Sequence, residues 1–425
     1  MTLKRVLLVF ALVFAALAAV VAALNFRGED EIPDIAPPFT STPEQVRRGE
    51  YLARAGNCIA CHTARGGAPY AGGLGVRTPF GTVVSTNLIP HYDTGLGSWT
   101  SAHFWRAIHN GRSKDGRFLY PAFPYPNYTQ VTREDADAIF AFLHSLQPIA
   151  AKNPPHEVRF PYNSQVALAV WRALYFEPGE FEPDNAKPAE WNRGAYLVRG
   201  LGHCVACHSS RNVFGATSEK LELSGGLIPM QDWYAPSLLS PHEAGVARWD
   251  TRHVVELLKN GVSVRGSVMG PMAEVVFRST QYLSDADLQA IAVFLKALPQ
   301  VVTDRTAYVP SPGLARSPGA KIYEQQCASC HGDAGEGAVG AYPPLAGNRA
   351  VTMEVPANLI RVVLSGGYLP ATAGNPRPYG MPPFAHALSD ADIAAVLTYI
   401  RGSWGNAVEP VSQLQVMRYR SGKGG

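Results

Sequence analysis

The sequence predicts a mostly α-helical protein, three tandem units of one plan behind an N-terminal apolar segment. Three observations carry this expectation. All six cysteines of the 425-residue chain lie in three copies of Cys-x-x-Cys-His. Around each copy the chain repeats itself, with a short helical stretch leading in and an amphipathic helix with an acidic first turn closing the unit. A single uninterrupted apolar run stands at the N-terminus.

That run covers residues 6–24, follows Lys4 and Arg5, and gives way to a polar segment at 25–31. It exceeds the core of about 7–15 residues usual in a signal peptide and is just long enough to cross a bilayer as a helix. Residues 1–27 are expected to be a retained membrane anchor, with cleavage after Val21-Ala22-Ala23 as the alternative. Either way the remainder lies across the membrane from Lys4 and Arg5.

The units follow in order. Helical segments at 43–57, 188–203 and 318–326 lead into the cysteine motifs, and helices at 133–146, 284–298 and 389–401 close the units. The last two begin Leu-Ser-Asp-Ala-Asp, a serine cap followed by carboxylates where the helix dipole favours them. Between these ends, 99–111 and 249–261 are further helices that stop at Asn-Gly. Proline-rich stretches at 147–161 and 299–318 lack helical periodicity and separate the units. The apolar, aromatic segment 162–176, with Trp171, Tyr175 and Phe176, is expected to pack as a helix between the first and second units, a membrane or partner contact being the alternative. The domains therefore span 43–147, 188–299 and 318–403, with linkers at 148–187 and 300–317 and a C-terminal tail at 404–425.

The cysteine motifs carry the chemistry. Two thiols spaced for thioether bonds to porphyrin vinyl groups, with an imidazole directly after them to ligate iron, attach haem c. The attachment residues are Cys58, Cys61, Cys204, Cys207, Cys327 and Cys330, and the proximal ligands are His62, His208 and His331. A thioredoxin-like pair would not need the histidine three times over, and a structural zinc site would bring two pairs close in sequence. The expected cargo is three covalently bound haems c in three tandem cytochrome c (class I-like) domains, matured in a bacterial periplasm. Gly 40 and Pro 34 suit loops that wrap cofactors, and a net charge of +3 without a basic cluster excludes a nucleic-acid partner.

A methionine sulfur opposite the histidine raises the reduction potential and closes the iron to substrate. Met381, in Gly380-Met381-Pro382-Pro383-Phe384, is the expected sixth ligand of the third unit, with Met353 the alternative. In the second unit Met272 is preferred to Met269 because it lies eleven residues after the Asn-Gly stop. The first unit breaks the pattern: no methionine occurs between Met1 and Met230, and Phe123 takes the place corresponding to Met272. Its sixth ligand is unknown. His91 and His103 have counterparts in His242 and His253, which suggests structural roles, whereas His109 and His144 have none.

At these residues the chain resembles the triple-haem cytochrome c subunits of membrane-bound periplasmic dehydrogenases, among them the alcohol, gluconate, sorbitol and aldehyde dehydrogenases. The resemblance rests on Gly49-Glu50-Tyr51-Leu52-Ala53-Arg54-Ala55, Pro79-Phe80-Gly81-Thr82, Leu119-Tyr120-Pro121-Ala122, Gly200-Leu201-Gly202-His203-Cys204, Gly270-Pro271-Met272-Ala273-Glu274 and Met381-Pro382-Pro383-Phe384. It implies an electron relay at the periplasmic side of the inner membrane. A separate catalytic subunit carrying pyrroloquinoline quinone, flavin or a molybdenum cofactor oxidises the substrate, and the haems pass electrons to ubiquinone. It also implies Met272 and Met381 as axial ligands, and methionine where this chain has Phe123. No nucleotide fingerprint, P-loop or nucleophile elbow is present, so no substrate oxidation is expected from this chain alone. Two rival readings are a peroxidase-like multihaem enzyme working at an open first haem and a soluble periplasmic electron shuttle.

Overall fold

A computed structural model of the chain describes residues 2–29, 31–32, 39–302 and 308–422. Residue 1 of the N-terminal segment, 303–307 of the second linker and 423–425 of the tail lie outside the described residues. The chain divides into two compact units. The first comprises Met1–Pro183, Arg199–His203 and Asn212–Ala216, and the second comprises Asp184–Val198, Cys204–Arg211 and Thr217–Gly425.

One helix crossing recurs three times. The helix Pro43–Ala55 packs on Arg133–Ser145, Ala189–Ala195 packs on Asp285–Lys296, and Pro318–Gln326 packs on Asp390–Gly402. At each crossing a glycine lets the backbones touch. A Cβ placed on Gly49, Gly194 or Gly319 would stand 1.8, 2.0 or 2.1 Å from the carbonyl oxygen of Ala138, Ala290 or Ala395. Two crossings are further held by arginine on a buried carboxylate: Arg48 Nη2 meets Asp135 Oδ1 at 2.6 Å, and Arg193 grips Asp287 with two bonds of 2.8 Å.

The closing helices begin where expected, capped by Thr132, Ser284 and Ser389. The Asn-Gly stops also hold: Ser101–Asn110 and Thr251–Asn260 end at Gly111 (φ 61°) and Gly261 (φ 74°), left-handed positions that cost glycine nothing. A third middle helix, Ala357–Ser365, also ends at a glycine of positive φ, Gly366 (φ 62°), with an extended ψ instead of the left-handed helical one. The entry helix of the second motif differs, passing from Ala189–Ala195 into a π-helical turn at Tyr196–Leu201.

In the first unit, Gly75–Thr78 and Gly81–Val84 form a hairpin that gains a third strand, Glu157–Val158, from the proline-rich linker. Within residues 162–176 the helix Gln165–Tyr175 forms as expected, and in this unit it packs against the long helix Leu3–Phe26. Asn25, next to the end of that helix, donates to Ala169 O at 2.9 Å and accepts from Arg172 Nε at 2.8 Å.

In the second unit, the two repeats join through Asn358, whose amide accepts from Tyr234 N at 2.8 Å and donates to Tyr234 O at 2.7 Å. The tail is more than a tail. It holds a helix, Gln413–Arg420, started by a Ser412/Gln415 capping box and tied back by Arg420 on Asp390 at 2.5 Å, and Val416 and Tyr419 enter the core of Ile360, Ile393 and Leu397.

Candidate haem-attachment sites

Each cysteine motif folds as a single helical turn. His62 N donates to Cys58 O at 3.0 Å, His208 N to Cys204 O at 2.9 Å and His331 N to Cys327 O at 2.9 Å. Residues four apart in such a turn share a face, so both thiols and the imidazole of one motif can address one flat group. None of the six cysteines is joined in a disulfide. Burial pushes the first thiol of each motif up, Cys58 and Cys204 to about 12 and Cys327 to about 11. At neutral pH these three thiols are therefore protonated.

The three histidines share a second feature. His62 Nδ1 lies 2.7 Å from Thr86 O, His208 Nδ1 2.7 Å from Pro236 O and His331 Nδ1 3.0 Å from Pro343 O. A carbonyl can only accept, so Nδ1 carries the proton and the Nε2 lone pair is left for a metal. Burial lowers the pKa of all three rings, which keeps them neutral and able to ligate. Among the described residues no three His, Cys, Asp or Glu side chains gather into a cluster able to hold a metal ion. Each motif offers the two thiols and one imidazole that covalent haem attachment uses.

The carbonyl partners escaped sequence reasoning. They follow their histidines at unequal distances in sequence, and only Thr86 falls near a motif singled out beforehand.

The candidate sixth ligands sit in different settings. Met381 lies on the short strand Gly380–Met381, paired with Gly367–Tyr368, and its side chain packs against the third repeat's core. Met353 is buried at 4%, and its carbonyl accepts from Arg401. Met272 stands in the first turn of Pro271–Arg278, half-buried, while the Met269 methyl reaches toward Gly367.

In the first unit each of the four local histidines bonds to the protein through a ring nitrogen. His91 Nδ1 accepts from Thr94 N, and His103 closes a capping box with Thr100. His109 stacks on Trp105 at 4.3 Å and donates to Thr129 O, and His144 donates from Nε2 to Leu96 O at 3.1 Å. Phe123 lies 5.4 Å from the Tyr128 ring.

A further histidine joins this unit from far along the chain. His203, held at φ 40°, stands edge-on to Tyr128 at 5.4 Å, and its Nε2 reaches Gly56 O at 3.3 Å. Tyr128 OH donates to the same carbonyl at 2.8 Å, so two side chains fix the backbone just ahead of Cys58.

Comparison with known proteins agrees with this chemistry. The cytochrome c family matches residues 46–147 and 317–404. The cytochrome c subunit of alcohol dehydrogenase (quinone) from Gluconacetobacter polyoxogenes is 40% identical, the alignment covering 85% of this chain and 81% of that one. The gluconate 2-dehydrogenase cytochrome c subunit of Pantoea cypripedii is 38% identical over 86% of each chain. The fructose dehydrogenase cytochrome subunit of Gluconobacter japonicus is 33% identical over 94% of this chain and 87% of its own. A helical chain with thiol pairs and carbonyl-locked imidazoles, alike in sequence to these subunits over nearly its whole length, belongs to the dehydrogenase cytochrome c subunits, electron-transport proteins whose cytochrome c domains bind haem c covalently.

Proposed function

We propose that the chain is a three-haem electron relay between a partner dehydrogenase and membrane ubiquinone. The observation that carries this reading is the threefold recurrence of one arrangement, paired thiols one helical turn ahead of an imidazole whose Nδ1 is committed to a carbonyl. The repeated glycine crossings support a haem domain at each of 43–147, 188–299 and 318–403. Haem c supplies one-electron iron chemistry when bound.

In this reading Cys58, Cys61, Cys204, Cys207, Cys327 and Cys330 hold the porphyrins. His62, His208 and His331 would hold the irons as proximal ligands, and Met272 and Met381 would supply the sixth ligands of the second and third haems. Thr86, Pro236 and Pro343 keep each ring in the ligating tautomer and strengthen its basicity through the shared proton. The catalytic partner, of pyrroloquinoline quinone, flavin or molybdenum type, takes two electrons from its substrate. Passed on singly, they reduce ubiquinone with two protons to ubiquinol. The 24-residue helix Leu3–Phe26, whose most apolar 18-residue stretch has a mean hydropathy of 3.0, anchors the chain to the inner membrane with its haem domains in the periplasm. Its retention is favoured by Asn25, 4% exposed and bonded to both Ala169 and Arg172.

The test is haem stoichiometry joined to electron flow. Mass spectrometry of the purified chain gives three haem additions. Substrate of the co-purified dehydrogenase reduces all three, and a short-chain ubiquinone reoxidises them. Two additions, or haems that the partner cannot reduce, end this reading. The Phe123 substitution favours one rival, a peroxidase-like first haem. Turnover of peroxide by the chain alone would establish that rival.

A further inference from the structure

The helix Gln165–Tyr175 is inverted. A helix on a water-facing surface turns its apolar stripe inward and its charges outward. Here the one charged side chain, Arg172, is only 2% exposed, while Val166, Val170 and Leu174 are 75%, 43% and 67% exposed. Spaced four apart, those three share a single face. Beside them Phe214, 50% exposed, extends the apolar surface, with Trp171 Nε1 donating to its carbonyl at 2.9 Å and the Tyr175 ring stacked 6.4 Å away.

The inner side of this helix is fastened to the end of Leu3–Phe26. Asn25 bonds to Ala169 and Arg172, and Arg27 Nη2 donates to Phe176 O at 3.1 Å. A helix of 24 residues is about 36 Å long at ~1.5 Å per residue, enough to cross a hydrocarbon core of about 30 Å. The inverted helix therefore sits at the level where such a helix leaves the bilayer.

We propose that Gln165–Tyr175 lies in the membrane interface, its Val166, Val170 and Leu174 face among the acyl chains, as a second lipid contact beside the anchor. Aliphatic side chains exposed on a helix that hides its only charge are stable against lipid and costly against water. Trp171 and Tyr175, half-buried on the flanks, occupy the depth that amphipathic rings prefer. The bilayer, rather than a protein partner, is the occupant because this face continues from the anchor to which the helix is bonded. The proposal rests on the anchor reading, and the experiment separates the two.

Nitroxide labels are placed singly on Leu12→Cys, Leu174→Cys and Val339→Cys in the haem-loaded full chain, reconstituted with its partner in vesicles. Power-saturation electron paramagnetic resonance then measures collision with oxygen, which concentrates in lipid, and with a water-soluble nickel chelate. The label at Leu174 is expected to favour oxygen over nickel, as at Leu12 in the anchor and opposite to Val339, which is fully exposed. If Leu12 reads lipid and Leu174 reads water, the interface helix is wrong and the anchor stands. If Leu12 also reads water, the anchor reading fails first. If Leu174 is closed to both reagents with the partner but open to nickel without it, a protein covers the face and the proposal is overturned.

Discussion

Replacing Gly194 with alanine would set a methyl carbon 2.0 Å from the Ala290 carbonyl oxygen and 2.8 Å from Phe294 Cβ. Ordinary contact begins near 3.4 Å, so Ala189–Ala195 and Asp285–Lys296 must part by about 1.4 Å. Neither obstacle is the far end of a flexible side chain. One is backbone, and the other is the root of a ring that is fully buried. A gap of about 0.5–1 Å already forfeits a quarter to a half of the dispersion energy along a contact. Overpacking of this kind costs ~3 kcal/mol, and stretching the Arg193–Asp287 bonds adds ~1 kcal/mol. Alanine returns about 1 kcal/mol through helix propensity. The net loss is about 3 kcal/mol, or roughly 10 °C in the melting transition of a unit of this size. Differential scanning calorimetry of the haem-loaded protein measures it, with Glu190→Ala on the exposed face of the same helix as the control, expected within ~0.5 kcal/mol of wild type. A Gly194→Ala protein melting within about 2 °C of wild type would show that the helices do not cross this closely, and the threefold repeat would lose its main physical support.

Other outcomes follow from the same sites. Met381→Ala should abolish one sulfur-to-iron charge-transfer band and lower the potential of one haem in a spectroelectrochemical titration; three unchanged potentials would remove Met381 from the iron. Phe123→Met should raise the lowest of the three potentials, and cyanide should perturb one haem in wild type and none in this variant. Burial holds the His144 pKa below its ordinary 6.5, so the unfolded chain takes up that proton first as pH falls. Stability from this group is complete above pH 6.5 and declines as acid approaches the depressed folded value. His144→Gln, which retains a donor for Leu96 O, should lessen the loss of urea-measured stability as pH falls below 6.5, whereas an unchanged slope would put the titration elsewhere.

What could be read in advance was whatever is encoded by neighbours in sequence. The serine caps and the Asn-Gly stops depend on bonds spanning five residues or fewer, and both were legible. The carbonyls of Thr86, Pro236 and Pro343 were not, because a histidine's own sequence does not say which distant backbone will meet its ring. The strand Glu157–Val158 was hidden for a related reason: two residues beside prolines become a strand only because an open hairpin edge awaits them. Gln413–Arg420 lacks an apolar stripe, so periodicity could not find it, although Ser412 and Gln415 spelled a capping box. His203 stands next to Cys204 in sequence, so nothing local assigns it to the backbone ahead of Cys58. Orientation was the remaining gap. The apolar character of 162–176 was visible, but which of its faces turned outward depended on Asn25, far away in the chain.

The bonds around Asn25 also govern rotation. Glu29 receives Arg112 at 2.5 Å and lies 3.5 Å from Arg106, both on elements of the first unit, just beyond the residue that Ala169 and Arg172 clamp. A domain hung from a flexible leash would sample every heading above the bilayer and carry its redox centre through a range of heights. Under the proposed anchoring of Leu3–Phe26, a swivel of this unit about its stem would break the polar bonds that stem and unit share, so those bonds would set the heading of the unit relative to the bilayer normal.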